Sequence, residues 1–311
     1  MSTRPTAAYL VGVAVNASWV VGLWALLRAL AIAEPRIRRT VVLLAFTGVI
    51  WVNTVYPWPK LLAGALCLGA AAAVLQRRAV LAGALAALAL LSHGGALFAV
   101  LGLIPWFISR FGKRCLMVGV VAFAIYAPWL AYVKLIEPPG DRLIKWHFAG
   151  TWITESDTRS PLESIASAYR DAGPTQVVEN KLNNARVVLG DPSVFGWFDL
   201  PGTPAWTGFW GELRAGQLTR IAWGPGVLLI GLWWWRRVPK TLWALLGAWA
   251  LTLVLLEWGG IWESAPWTIH GPYALVVGFA AACALASPRW LYPPVVASFV
   301  FLWYLSPPVL G

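Results

Sequence analysis

Apolar runs separated by short polar breaks fill most of this chain, at 7–27, 40–56, 61–75, 79–91, 96–109, 115–136, 221–235, 241–257, 273–287 and 290–305. A helix needs roughly 20 residues to cross the hydrocarbon core of a bilayer. The pattern therefore predicts an all-α, polytopic integral membrane protein with about ten transmembrane helices, several of them short. One interval departs from it. The 84 residues from Glu137 to Arg220 hold ten of the thirteen acidic residues. Three regions follow: 1–136 with about six transmembrane helices, 137–220 as one helical extracytoplasmic segment, and 221–311 with about four more helices.

Composition points the same way, with 59% hydrophobic residues, 12% charged residues and a mean hydropathy of +0.68, outside the range of soluble domains. A net charge of +11 would suggest nucleic acid in a soluble protein. Here the basic residues gather in short connections between apolar runs, where they orient helices, and no nucleic-acid partner is expected. Alternate connections carry Arg36, Arg38 and Arg39, then Arg77 and Arg78, then Arg110, Lys113 and Arg114, then Arg236, Arg237 and Lys240, and finally Arg289. With Arg28, that side is expected to be cytoplasmic in the plasma (inner) membrane, which puts both termini and the 137–220 segment outside. Cys67, Cys115 and Cys283 all fall in apolar runs, a pattern that argues against a disulfide framework or a thiolate metal site. No metal and no cofactor are expected.

Local signals give the outward elements. Ser92, His93, Gly94 and Gly95 interrupt the stretch from Ala79 to Arg110, predicting two short helices that meet at a bend near the outer face. After the Pro138–Pro139 pair, residues 141–149 alternate charge with aromatic bulk, as a helix lying in the membrane interface does. Ser160, Pro161 and Glu163 form a capping box that starts a helix ending near Ala172, before Gly173 and Pro174. A second helix is expected over Gln176–Leu189. Leu162, Ile165, Ala166 and Tyr169, and then Val178, Leu182 and Ala185, are the faces expected to be buried.

Candidate chemistry is sparse. Asp141, Arg142, Lys145 and His147 sit where cations engage a lipid phosphate or simply snorkel. Lys60 and His93 lie at helix ends facing the same side. Glu155 and Asp157, two apart in a polar stretch, are the candidate general bases, and an ordinary solvated loop carries the same pair. Glu257, Glu263 and His270 flank the other outward loop. No metal-ligand spacing, phosphate-cradling glycine loop or nucleophile elbow is present.

Three stretches in order, Asn53–Lys60 (NTVYPWPK), Leu81–Phe98 (LAGALAALALLSHGGALF) and Pro138–Leu143 (PPGDRL), resemble the middle and C-terminal membrane core of the C-type glycosyltransferase superfamily. The resemblance covers roughly residues 8–150, and His93 stands at a break where that family commonly has lysine. It implies a glycosyltransferase-like protein that takes a sugar from a polyprenyl-phosphate carrier on the outer face and passes it to an envelope acceptor. Lys60, Arg142 and Lys145 would hold the phosphate, and Glu155 or Asp157 would act as base. Enzymes of that superfamily carry their catalytic aspartate in the first outward loop, whereas this chain has no acidic residue before Glu34. Expected accounts are missing upstream spans or a separate N-terminal membrane partner, a non-catalytic relative, or an acid taken from the 137–220 segment. The alternatives are a polysaccharide polymerase or ligase, a transporter, and a membrane scaffold. Transport would call for more mid-span polar groups than Asn16.

Overall fold

The computed structural model describes residues 5–47, 50, 53–54, 59–136, 141–151, 157–189, 226–260, 262 and 273–297. Among them every regular element is helical. The elements are α1 (Pro5–Asn16), α2 (Trp19–Ala29), α3 (Glu34–Ala45), α4 (Lys60–Leu75), α5 (Ala79–Ser92), α6 (Leu97–Phe111), α7 (Cys115–Leu135), α8 (Arg142–Ala149), α9 (Pro161–Leu189), α10 (Lys240–Gly259) and α11 (Tyr273–Ala286). A 3₁₀ segment, Gly226–Arg237, precedes α10.

Two helical stretches, Ala7–Ala29 and Gly94–Leu135, are long and apolar enough to cross a membrane. The helices over Lys60–Leu75, Ala79–Ser92, Lys240–Leu256 and Tyr273–Ala286 are equally apolar but shorter. On α7 most apolar side chains other than Val118 point outward, with Leu116 75% and Phe123 66% exposed. A continuous exposed apolar surface of this kind is matched to lipid or to a partner rather than to water.

Small residues let the helix backbones touch, as in membrane helix pairs. A β-carbon on Gly22 of α2 would collide with the backbone of Ala65 in α4, and one on Gly83 of α5 would stand 2.5 Å from the Val118 carbonyl oxygen in α7. Gly102 of α6 faces Trp249 of α10, whose indole N–H donates to the Ala99 carbonyl at 3.0 Å. Thr252 donates to the Phe98 carbonyl one turn further on. These pairs fix a common polarity. The C-terminal ends of α2 and α4, with Arg28, Arg77 and Arg78, close in left-handed caps at Ala31 and Arg77. In each cap the following amide donates back five residues, Ile32 to Leu27 and Arg78 to Ala73, the geometry that terminates a helix abruptly. At the opposite end stand the first residues of α4 and α11 and the α5–α6 break.

Three expectations change in detail. The basic residues Arg36, Arg38 and Arg39 lie within a helix rather than in a loop, because α3 begins at Glu34: Pro35 is accommodated in the first turn and Glu34 pairs with Arg38 one turn on. The run at 221–235 is 3₁₀ over its described part and bends at Trp234. The faces expected to be buried on α9 are instead largely open, with Leu162 80%, Val178 57% and Leu182 51% exposed. The helix does break at Gly173, at φ 71° and ψ 171°, as the Gly–Pro pair predicts, but it turns Ser164 and Asn184 inward. Ala185 lies on α9, and its side chain is outside the described set.

Candidate functional site

Lys60 opens α4 directly after Pro59 and is only 5% exposed. Its ammonium stands 5.7 Å from the centroid of the Tyr273 ring, at the first residue of α11. Such a cation over an aromatic face is attracted by the ring quadrupole. Gly64, one turn along α4, keeps the helices close: a β-carbon there would lie 3.2 Å from Tyr273 Cβ. His93 sits at the same end, in the extended residue between α5 and α6, within electrostatic range of Lys60. Its Nδ1 accepts the Gly95 N–H at 3.0 Å, so the ring caps the short 3₁₀ turn at Gly94–Ala96. The predicted bend is present, and the imidazole holds its shape. Tyr273 is the member that sequence reading missed. It follows Lys60 by more than two hundred residues, and no local signal links the two.

The same end carries α8. Its Phe148, together with Leu256 and Leu275, packs against the buried pair Phe98 and Leu253, at the adjoining ends of α6, α10 and α11. Trp262 N–H donates to the His147 carbonyl at 2.7 Å, and Tyr169 of α9 donates to the Gly260 carbonyl at 3.1 Å and meets Trp262 edge-on at 4.8 Å. Residues 141–151 and 157–189 therefore form a cap seated on this end of the bundle.

Within the cap, the expected headgroup-level cations separate. Arg142 is exposed, flanked by exposed Leu143 and Ile144. Lys145 is instead buried, 3.0 Å from Asp141 Oδ2 and donating to the Asp157 carbonyl at 2.7 Å. It ties α8 to the polar stretch at Asp157 leading into α9, and it is not presented at a headgroup surface. His147 is buried beside Trp146, ring centroids 4.7 Å apart, and burial pushes its pKa down to about 3. A group depressed that far remains neutral near pH 7.

Asp157 is equally engaged. Its carboxylate accepts Nε and Nη2 of Arg159 at 3.0 and 2.9 Å, the Arg159 amide at 3.0 Å and the Ser164 hydroxyl at 2.7 Å. The Arg159 guanidinium first, and then the Ser164 hydroxyl, hold it well below the usual carboxylate range. That is the environment of a structural anchor, because a general base works best with a pKa near the operating pH. The capping box forms as predicted: Glu163 accepts from the Ser160 amide and hydroxyl at 2.8 and 2.7 Å, and the Glu163 amide donates back to the Ser160 hydroxyl. Those bonds lower the Glu163 pKa. Glu155, Glu263 and His270 lie outside the described residues, and Glu257 is on the last turn of α10. Among the described residues no three His, Cys, Asp or Glu side chains gather as a metal-binding group.

Comparison with protein-family models, curated proteins and solved structures gave no match.

Proposed function

We propose that the chain is a plasma-membrane protein of about ten spans that binds a polyprenyl-phosphate-linked sugar at the end formed by Lys60, His93 and Tyr273, facing out of the cytoplasm beneath the cap of residues 141–151 and 157–189. The observation that carries this reading is Lys60. An ammonium held at the mouth of an apolar helix, under an aromatic face and beside a histidine, is costly to keep dry and suits a ligand that brings a phosphate to the membrane surface. Arg142, exposed beside Leu143 and Ile144, supplies a second cation at the height where lipid headgroups lie. Lys145 is withdrawn from this role by its bonds to Asp141 and Asp157.

Transfer of the sugar to an envelope acceptor is the enzymatic extension of the same reading, with Glu155 as its base. The bonds that occupy Asp157 favour the alternative in which the chain binds the lipid-linked sugar without turning it over, as a scaffold. The test is binding of a polyprenyl-phosphate sugar to the full chain in detergent, with sugar release followed in the same sample. Lys60→Ala is expected to weaken binding about tenfold or more, the scale of one lost charge-assisted contact. Binding with release supports the enzyme, and binding without release supports the scaffold. Equal affinity in the native and Lys60→Ala chains, or no binding by either, removes the polyprenyl-sugar reading.

A further inference from the structure

The end of the bundle opposite the cap holds a cleft of about 480 Å³, walled by α3, the close of the 3₁₀ segment and the end of α11. Four arginines line it, Arg36, Arg39, Arg237 and Arg289. Among the described residues no carboxylate lines it and none pairs with these four: Glu34, the acidic residue at the head of α3, is taken by Arg38. Like charges held together without a counter-charge repel, and an anion in the cleft would relieve that repulsion.

Three of the four are also held in place. Arg36 donates through Nη2 to the backbone carbonyls of Leu285 at 3.2 Å and Arg237 at 3.3 Å, bridging α11 and the 3₁₀ segment. Arg39 Nε donates to the Pro35 carbonyl at 3.0 Å, and Arg237 lies over the Trp234 ring at 5.8 Å. Each guanidinium carries five N–H groups in a rigid fork, so these bonds orient the groups and leave donors for a ligand. The hydroxyls of Thr40 and Ser287 are turned to the Arg36 and Cys283 carbonyls, which leaves the four arginines, with Tyr292, as the polar groups able to face a ligand.

We infer that this cleft is a binding site for a phosphate-bearing anion, distinct from the Lys60 end and independent of the polyprenyl-sugar reading. Planar forks of arginine match phosphate oxygens in pairs. The surroundings favour a phospholipid headgroup as the source. Trp233, Trp235 and Trp290 are 86%, 52% and 60% exposed close by, and Trp234 meets Trp290 edge-on at 5.8 Å. Exposed tryptophan marks the bilayer interface, and basic pockets between helices at that level hold anionic headgroups.

Native mass spectrometry of the full chain in detergent tests the site with three probes: phosphatidylglycerol, phosphatidylcholine and inorganic pyrophosphate. The native chain is expected to retain phosphatidylglycerol about tenfold better than phosphatidylcholine, and Arg36→Gln/Arg289→Gln to lose that preference. Variant-sensitive binding of pyrophosphate with no lipid preference also supports the site and assigns it to a soluble phosphate. Because Arg36 bridges two segments, Arg289→Gln alone provides a variant with a smaller structural burden, and it should weaken retention by several-fold. Arg110→Gln, a basic residue outside the cleft, is the control. Equal losses in Arg289→Gln and Arg110→Gln, or no preference in the native chain for any phosphate probe, overturn the proposal.

Discussion

Gly22→Leu is expected to leave almost no folded protein. The hydrogen of Gly22 faces the Ala65 backbone, and a β-carbon at this position would overlap the Ala65 carbonyl itself. A flexible neighbour could rotate away, but a helix backbone can yield only if α2 and α4 separate. That separation would disturb Trp19, Leu23, Leu26, Leu61 and Leu68, all buried in the shared core. Inserting even single methylenes into a packed core costs about 1–3 kcal/mol, and forcing two backbones apart lies at or above the upper end of the single-substitution range, on the order of 4–5 kcal/mol. Gly119→Leu is the matched control, since nothing lies within 4 Å of a β-carbon there. Size-exclusion recovery and thermal unfolding in detergent should show the first variant lost and the second within about 0.5 kcal/mol of the native chain. Equal behaviour of the two would mean that α2 and α4 do not pack as described.

Lys145→Ala is expected to release the cap without unfolding the bundle. Lys145 is buried, and its removal leaves the Asp141 carboxylate, only 25% exposed, without its ammonium and the Asp157 carbonyl without its donor. Removing one partner of a buried ion pair costs about 3–5 kcal/mol, and the partial exposure of Asp141 brings the expectation down to about 2–3 kcal/mol. The loss should fall on α8 and the start of α9. Amide hydrogen exchange over 142–149 and 161–172 should accelerate about 30- to 150-fold, while α4 and α11 keep their protection. Lys145→Met, which keeps the aliphatic stem, should accelerate exchange nearly as much, because the charge and its donor bonds are what tie the segments. Unchanged exchange in both variants would remove Lys145 from this role.

What could be read from the sequence, and what could not, divides by the range of the interaction. The Ser160–Glu163 box and the breaks at Ser92–Gly95 and Gly173–Pro174 are encoded within a few residues, and each stands where the local chemistry requires it. The all-helical architecture follows from apolar runs too continuous for half-exposed strands. The Lys60–Tyr273 pairing and the Arg36 bridge to Leu285 join residues more than two hundred positions apart, and neither leaves a local signature. Lys145 was misjudged for a related reason. A lysine in an amphipathic stretch looks like a snorkelling cation until its partners are known, and one of them is a backbone carbonyl, which any residue at position 157 would provide. Of the face expected to be buried on α9, Tyr169 does dock, through its hydroxyl on the Gly260 carbonyl and the Lys181 ammonium at 2.9 Å, whereas Ser164 turns inward on a polar tie to Asp157 that an apolar pattern does not reveal.

The binding proposals at the two ends rest on one polarity, with the arginine-rich end and the Lys60 end on opposite sides of a membrane. Cysteine labelling in intact cells tests it most directly. In a background with Cys67, Cys115 and Cys283 replaced by alanine, Gln176→Cys marks the cap and Gln76→Cys marks the turn after α4, both at exposed positions. A membrane-impermeant maleimide should modify Gln176→Cys in intact cells and reach Gln76→Cys only after the cells are permeabilised. Equal labelling of both positions in intact cells, or the reverse pattern, would contradict this arrangement.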